Sequence, residues 1–169
     1  MYMIIVQAIG IIAMILSVTS FQMNTKKKII IMQLMTGVVF AVHYFMLPER
    51  AGIAGGVVNV LAIIRNLVLV KTNNNRFSVV FFCVVMGLSA IISRPEPISI
   101  LMAIAMVFNT LAIAAKTPVG TRKSILISSP FAFVYNVVIF SIGGMINEFM
   151  VEVITGITLF MDYRKKAKE

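Results

Sequence analysis

Between Pro97 and Lys116 the chain reads ISILMAIAMVFNTLAIAA (residues 98–115), which is 18 positions without a charged side chain. A helix needs about 20 predominantly apolar residues to cross the hydrocarbon core of a bilayer. This stretch therefore predicts one membrane-spanning helix, and the sequence on either side of it repeats the pattern.

Polar residues divide the whole chain into seven such segments: 3–22, 29–47, 53–70, 77–93, 98–115, 124–142 and 145–163. Most of the breaks carry charged residues or proline. The last break is the glycine pair Gly143-Gly144, which predicts a tight turn. The predicted fold class is all-α: a polytopic membrane protein with seven transmembrane helices.

The composition excludes a soluble domain. Hydrophobic residues make up 60% of the 169 positions, charged residues 12%, and the mean hydropathy is +1.00. Soluble domains contain about 45–50% apolar and about 25% charged residues. Seven spans leave too few residues for a large domain outside the membrane, so the expected partner is the lipid bilayer.

The 15 basic residues are distributed unevenly. Twelve of them lie in gaps 23–28, 71–76 and 116–123 and in tail 164–169, which seven helices place on one side of the membrane. The other side holds only Arg50 and Arg94. Because basic residues concentrate in cytoplasmic loops, we expect a bacterial inner membrane protein with its N-terminus outside and its C-terminus cytoplasmic. The net charge of +9 is thereby assigned to orientation and not to nucleic-acid binding.

Two pairs of short stretches resemble each other along the chain. Residues 40–44, FAVHY, are similar to 131–135, FAFVY, at an offset of 91, and 13–17 are similar to 105–109 at an offset of 92. We therefore predict one integral membrane domain in a 3+1+3 parallel-repeat arrangement, whose two halves are related by an axis along the membrane normal. Its parts are a first three-helix repeat at 3–70, a linker helix at 77–93, a second repeat at 98–163 and a basic tail at 164–169.

Short motifs in both halves point to known families. They are His43-Tyr44-Phe45, Ala51-Gly52, Asn59 with Arg65, Asn109, Tyr135-Asn136, and Ser141-Ile142-Gly143-Gly144 followed by Glu148. In these residues the chain resembles the YgjV-type family of bacterial inner membrane proteins. The 3+1+3 arrangement more distantly resembles the SWEET, PQ-loop and PnuC superfamily of small-solute carriers, although Ser20-Phe21-Gln22 lacks the proline of a PQ-loop. The superfamily resemblance implies a solute held between helices three and seven at mid-depth.

Polar side chains inside the spans are the candidates for function, because polar groups in lipid are costly and usually face a cavity or bundle interior. Arg65 lies six residues before Lys71, about 9 Å from the end of its helix. It either reaches the interface or forms a structural ion pair, or it contacts a solute or gate. Asn136 either joins two helices or binds a solute.

Glu148 and Glu152 share one helix face. Glu152 and Asn59 each lie twelve residues before the basic residue that ends their segment, roughly 18 Å away. We therefore expect Asn59 and Glu152 to face each other at mid-depth, where Glu152 either carries a proton or forms an ion pair, for example with Arg65. His43 is expected at the level of Glu148, either as an outer gate with that carboxylate or as a histidine bonded to the backbone.

The leading functional hypothesis is a small-solute transporter with a polar cavity lined by Asn59, Arg65, Asn136, Glu148 and Glu152. The alternative is a scaffold or regulatory subunit that binds a protein partner. We expect no catalytic residues, cofactor or metal site, because the chain has one histidine, one cysteine and no nucleophile–base pair. The solute is expected to be small and polar, and a homo-oligomer is compatible with this size.

Overall fold

A computed structural model describes residues 1–20, 26–48, 52–72, 74–93 and 97–166. Each of the seven predicted segments corresponds to one α-helix within these ranges. The helices are α1 (Tyr2–Ser20), α2 (Lys26–Met46), α3 (Gly52–Lys71), α4 (Arg76–Ser93), α5 (Pro97–Ala114), α6 (Pro118–Val138) and α7 (Ile142–Lys166).

Five of the helices, α1, α3, α4, α5 and α7, are long and apolar enough to cross a membrane. In α2 the described apolar part is shorter and covers Ile31–Met46. The sixth helix includes Arg122, Lys123 and several hydroxyl side chains, which lower its hydropathy. Large apolar side chains on the outer surface of the bundle are exposed, for example Phe77 and Ile92. An apolar outer surface of this kind suits contact with lipid.

The boundaries of the sixth segment differ from the prediction of 124–142. The helix starts earlier because the Thr117 side chain caps it through the Gly120 amide and Pro118 occupies its first turn. It ends at Val138, and the chain reverses over residues 139–141, where Phe140 adopts a left-handed φ of 58°. The turn predicted at Gly143-Gly144 is therefore wrong.

Both glycines of that pair lie inside the first turn of α7. A methyl group at Gly143 would overlap the backbone of Gly10 in α1. The glycine is needed because two helix backbones approach each other here, which is a common role of small residues in membrane helices.

The helices form a closed ring in the order α1, α2, α3, α5, α6, α7 and back to α1. Among the described residues α4 packs only on α3 and α5, outside the ring. Contacts between helix termini define two ends of the bundle. The N-terminal end holds the start of α1, where the Tyr2 hydroxyl donates to the Met46 carbonyl. The basic end holds the start of α6 and the end of α7, where Arg122 pairs with Asp162.

Candidate functional site: a polar cavity inside the ring

The ring encloses a cavity of about 230 Å³ lined by residues of α1, α2, α3, α5, α6 and α7. Its described lining includes no residue of α4. The polar side chains that line it are Ser17, Ser20, Gln33, Thr36, Tyr44, Asn59, Arg65, Asn66, Asn109, Thr121, Ser128, Ser129, Asn136, Asn147 and Glu148. The cavity extends from the level of Asn136 to Thr121 in the first turn of α6, so it reaches towards the basic end.

Several hydrogen bonds between helices lie on the N-terminal side of the cavity. The Tyr44 hydroxyl in α2 donates to Asn136 Oδ1 in α6 over 2.7 Å. The Tyr135 hydroxyl in α6 accepts from the Gly55 amide in α3 over 2.9 Å. Nearby, Gln7 of α1 donates to the Phe140 carbonyl. These contacts join α1–α3 to α6 and the α6–α7 turn at the N-terminal end. Towards the basic end α3 and the turn that follows it are bonded to α5 instead, through Arg65 and through the Asn74 side-chain amide, which donates to the Ile113 carbonyl over 3.5 Å.

His43 lies at the same N-terminal end of the cavity. Its Nδ1 lies 2.8 Å from the Val6 carbonyl oxygen and its Nε2 lies 2.7 Å from Ser141 Oγ. The ring is buried and packs against Gly10, where a methyl group would overlap it. The described contacts of His43 do not include Glu148. The expected histidine bonded to the backbone is confirmed, and the expected contact with the carboxylate is absent from this structure.

Glu148 faces the cavity from α7. One carboxylate oxygen accepts from the Ser129 hydroxyl over 2.8 Å, and the other accepts from the Asn147 side-chain amide over 3.1 Å. Within the described residues no basic group lies at ion-pair distance from it. Two other atoms of the cavity lining, Thr36 Oγ1 on α2 and Asn147 Oδ1 on α7, are buried and have no protein hydrogen-bond partner.

Arg65 lies at the other end of the cavity and is only 2% exposed. Its guanidinium group donates to Thr110 Oγ1 over 3.0 Å and to Asn109 Oδ1 over 2.9 Å, both on α5. Two further bonds, over 3.1 and 3.0 Å, go to Asn66 Oδ1. The Arg65 side chain therefore does not extend to the membrane–water interface. In the described part of the chain its hydrogen-bond partners are neutral.

Of the two residues expected to face each other at mid-depth, Asn59 lines the cavity and Glu152 does not. Asn59 lines the cavity and donates to the Gly55 carbonyl of its own helix. On α7 the cavity is lined by Val151 and Glu148, and Glu152 is not among the described lining residues. The depth estimate that equated Asn59 with Glu152 used helix ends, whose positions vary by a residue or two.

Sequence analysis did not single out Thr36, Ser129 or Asn147 as site residues. Each is a polar residue inside a predicted span, so the signal that identified Arg65 and Glu148 was present in weaker form. Without the structure, nothing distinguished them from hydroxyl and amide side chains that only join helices.

The family model for Imp-YgjV, described as a bacterial inner membrane protein, matches residues 4–166. The chain belongs to this family. The match covers nearly the whole chain and includes every helix that lines the cavity. No curated protein and no solved structure matches it. This Imp-YgjV protein is thus a bacterial membrane protein whose polar cavity is the main candidate site.

Proposed function

We propose that this protein is a carrier of a small polar solute, working by alternating access around the cavity. The observation that carries the proposal is a polar cavity bonded shut on its N-terminal side and continuing towards the basic end. A carrier needs a binding site in mid-membrane that reaches one side at a time. The structure then corresponds to a state that faces the basic end.

The distribution of lining residues supports a parallel repeat. Eight of the twelve lining positions described in α1, α2 and α3 recur in α5, α6 and α7 at a constant offset of 92. The pairs are Ser17 and Asn109, Ser20 and Ala112, Gln33 and Ile125, Thr36 and Ser128, Gly37 and Ser129, Phe40 and Ala132, Tyr44 and Asn136, and Asn59 and Val151. Tyr44 and Asn136 also hydrogen-bond to each other, as expected of equivalent positions facing across an axis.

The helix contacts have the same symmetry. Exchanging α1–α3 with α5–α7 converts the α1–α2 contact into α5–α6, α2–α3 into α6–α7, and α1–α7 into α3–α5, and all six contacts are present. Only α4 has no counterpart. This supports the 3+1+3 arrangement, with α1–α3 as the first triplet, α5–α7 as the second triplet and α4 as the linker.

Seven crossings follow from this assignment. Each of α2 and α6 has 21 residues, or about 31 Å of helix, which matches the hydrocarbon thickness. The lower hydropathy of α6 comes in part from polar side chains that line the cavity, such as Thr121, Ser128 and Ser129. With the basic end in the cytoplasm, as the charge distribution favours, the structure represents an inward-facing carrier.

Transport requires the N-terminal end of the cavity to open. In the proposed cycle the triplets rock against each other, so that the bonds Tyr44–Asn136, Gly55–Tyr135 and His43–Ser141 break together. Each of these bonds joins a residue of α2 or α3 to the second triplet. His43 is thus proposed to act as part of this seal and not through Glu148.

The test is ligand-dependent stabilisation of the purified protein by sugars, nucleosides, vitamins and amino acids. A bound ligand at 100 times its Kd adds about 2.7 kcal/mol to the free energy of unfolding. Ala62→Phe fills the cavity from α3, whereas Ile64→Phe enlarges a side chain on the exposed face of the same helix. We expect a ligand that stabilises the wild type and Ile64→Phe and fails with Ala62→Phe.

A compound that stabilises all three proteins equally would mean binding outside the cavity and would contradict the proposal. A panel without any stabilising compound would also contradict it, and would favour a scaffold that binds a protein partner.

A further inference from the structure

The two charged residues of the cavity have unequal surroundings. Arg65 contacts three side-chain oxygens, which satisfy most of its N–H groups without an anion. Glu148 receives one hydrogen bond on each carboxylate oxygen, and both donors are neutral. A carboxylate oxygen has two lone pairs, so each oxygen of Glu148 has acceptor capacity left over.

Two further polar side chains of the cavity lining have hydrogen-bonding atoms without a protein partner. Asn147 Oδ1 is an acceptor without a protein partner, although Asn147 is only 7% exposed. Thr36 Oγ1, across the cavity on α2, is also without one at 9% exposure. Unsatisfied buried polar groups cost about 1–3 kcal/mol each, so each calls for an explanation. Here the unused atoms line one cavity together with an unpaired carboxylate.

We infer that the cavity binds a monovalent cationic group at Glu148, Asn147 and Ser129, with Thr36 as a further free hydroxyl on the cavity wall. The inference rests on the proposed carrier function and names its substrate chemistry. An ammonium group offers several N–H donors and one positive charge, which match the free acceptors and the single carboxylate. In the described part of the chain no cluster of three or more acidic, histidine or cysteine residues exists to favour a divalent metal.

The size of the cavity limits the ligand. Its volume of about 230 Å³ is below the ~300–1,000 Å³ of drug-sized sites. The cationic group therefore belongs to a compact organic amine or is an inorganic ion such as Na⁺ that accompanies a solute. Both sources have the same chemistry at Glu148, and the test separates them.

The test uses ligands that differ only in charge. One series is glucosamine, glucose and glucuronate, and a second is 4-aminobutanol, butane-1,4-diol and 4-hydroxybutyrate. Binding to the full-length protein in detergent is measured by thermal shift and by calorimetry, at a pH where the amines are protonated. Sodium and potassium chloride are titrated alone, with magnesium chloride at the same ionic strength as a control.

Glu148→Gln removes the charge and keeps the shape of the side chain. Removing one partner of a buried charge pair costs about 2–5 kcal/mol, so we expect the cationic ligand to bind at least ~30-fold more weakly. Glu152→Gln is the matched control, since it removes an equal charge one helical turn away that does not line the cavity. It should bind the ligand as the wild type does.

The outcomes separate the inference from the proposed function. Binding of an amine, or of Na⁺ or K⁺, that is lost in Glu148→Gln and kept in Glu152→Gln supports the inference and identifies the source of the cation. Tight binding of a neutral or anionic member that Glu148→Gln leaves unchanged overturns the inference and leaves the carrier in place. An absence of binding by every probe, in a folded wild type, overturns both.

Discussion

The α1–α7 and α3–α5 contacts, which are the two seams between the proposed triplets, are built differently. Along the α1–α7 seam, Gly10 and Gly143 bring two helix backbones together. Along the α3–α5 seam, the helices touch over a shorter stretch. There Arg65 spans from α3 to Asn109 and Thr110.

We propose that the two seams have different roles in the carrier cycle. Backbone packing of glycines has no alternative arrangement, so the α1–α7 seam is suited to be a fixed pivot. Hydrogen bonds from a guanidinium group can exchange partners, so the α3–α5 seam is suited to open and close. In the proposed parallel repeat the two seams are equivalent by symmetry, and we propose that their side chains determine which one opens.

The largest expected effect comes from Gly143→Ala, which disrupts the proposed pivot. The added methyl group overlaps the backbone of Gly10, and α1 and α7 must move apart. Overpacking costs 1–3 kcal/mol, and backbone overlap belongs at the upper limit, so we expect about 3 kcal/mol loss in the free energy of unfolding. Unfolding of the purified protein in mixed micelles measures it.

Gly156→Ala is the control for that experiment, because the same helix has open space around Gly156. It should be at least as stable as the wild type, because alanine is a better helix former than glycine. Equal stability of both variants would contradict the assignment of the α1–α7 seam as a tightly packed contact.

A smaller effect is expected at the other seam from Arg65→Met, which keeps most of the side-chain length and removes its hydrogen bonds. Bonds between membrane helices average about 0.6 kcal/mol, so the loss of the bonds to Asn109 and Thr110 on α5 should cost about 1–2 kcal/mol. Arg65→Lys keeps the charge but not the planar fork, and should lose nearly as much. Full stability of Arg65→Met would mean that Arg65 does not join the seam.

The smallest effect is expected from Tyr44→Phe, which removes one bond of the seal. A loss of about 0.6 kcal/mol corresponds to about a threefold shift towards the state open at the N-terminal end. Tyr163→Phe, at an exposed tyrosine near the basic end, is the control. Labelling of a cavity cysteine from the N-terminal side measures the shift, and identical rates in both variants would contradict the proposed seal.

Much of the fold follows from the sequence, because a span of apolar residues and its polar flanks constrain a membrane helix strongly. Seven segments predicted seven helices. The exception is the α6–α7 turn, because the glycine pair that predicts it lies inside α7, where Gly143 packs against Gly10 and Gly144 against Asn136 and Ser141. Sequence alone does not show whether glycine serves the backbone conformation or a neighbour.

The candidate site was harder to predict from the sequence than the fold. Arg65, Asn59, Asn136 and Glu148 were identified because polar residues in apolar helices are rare, and the structure places all four on one cavity. The partners of Arg65 were not foreseen, since they are neutral side chains on another helix. Glu152 was misplaced because a shift of one residue turns a side chain by about 100° around a helix.

The central claim is a cavity between two triplets that is open to the basic end and closed at the other. Accessibility of Ala62→Cys tests it most directly, in a Cys83→Ser background and with Ile64→Cys as the lipid-facing control. A small membrane-impermeant methanethiosulfonate is added separately to each face of oriented vesicles. The account predicts modification of Ala62→Cys from the basic end only, and of Ile64→Cys from neither face. An Ala62→Cys thiol that is unmodified from the basic end, or equally reactive from both faces, would contradict it.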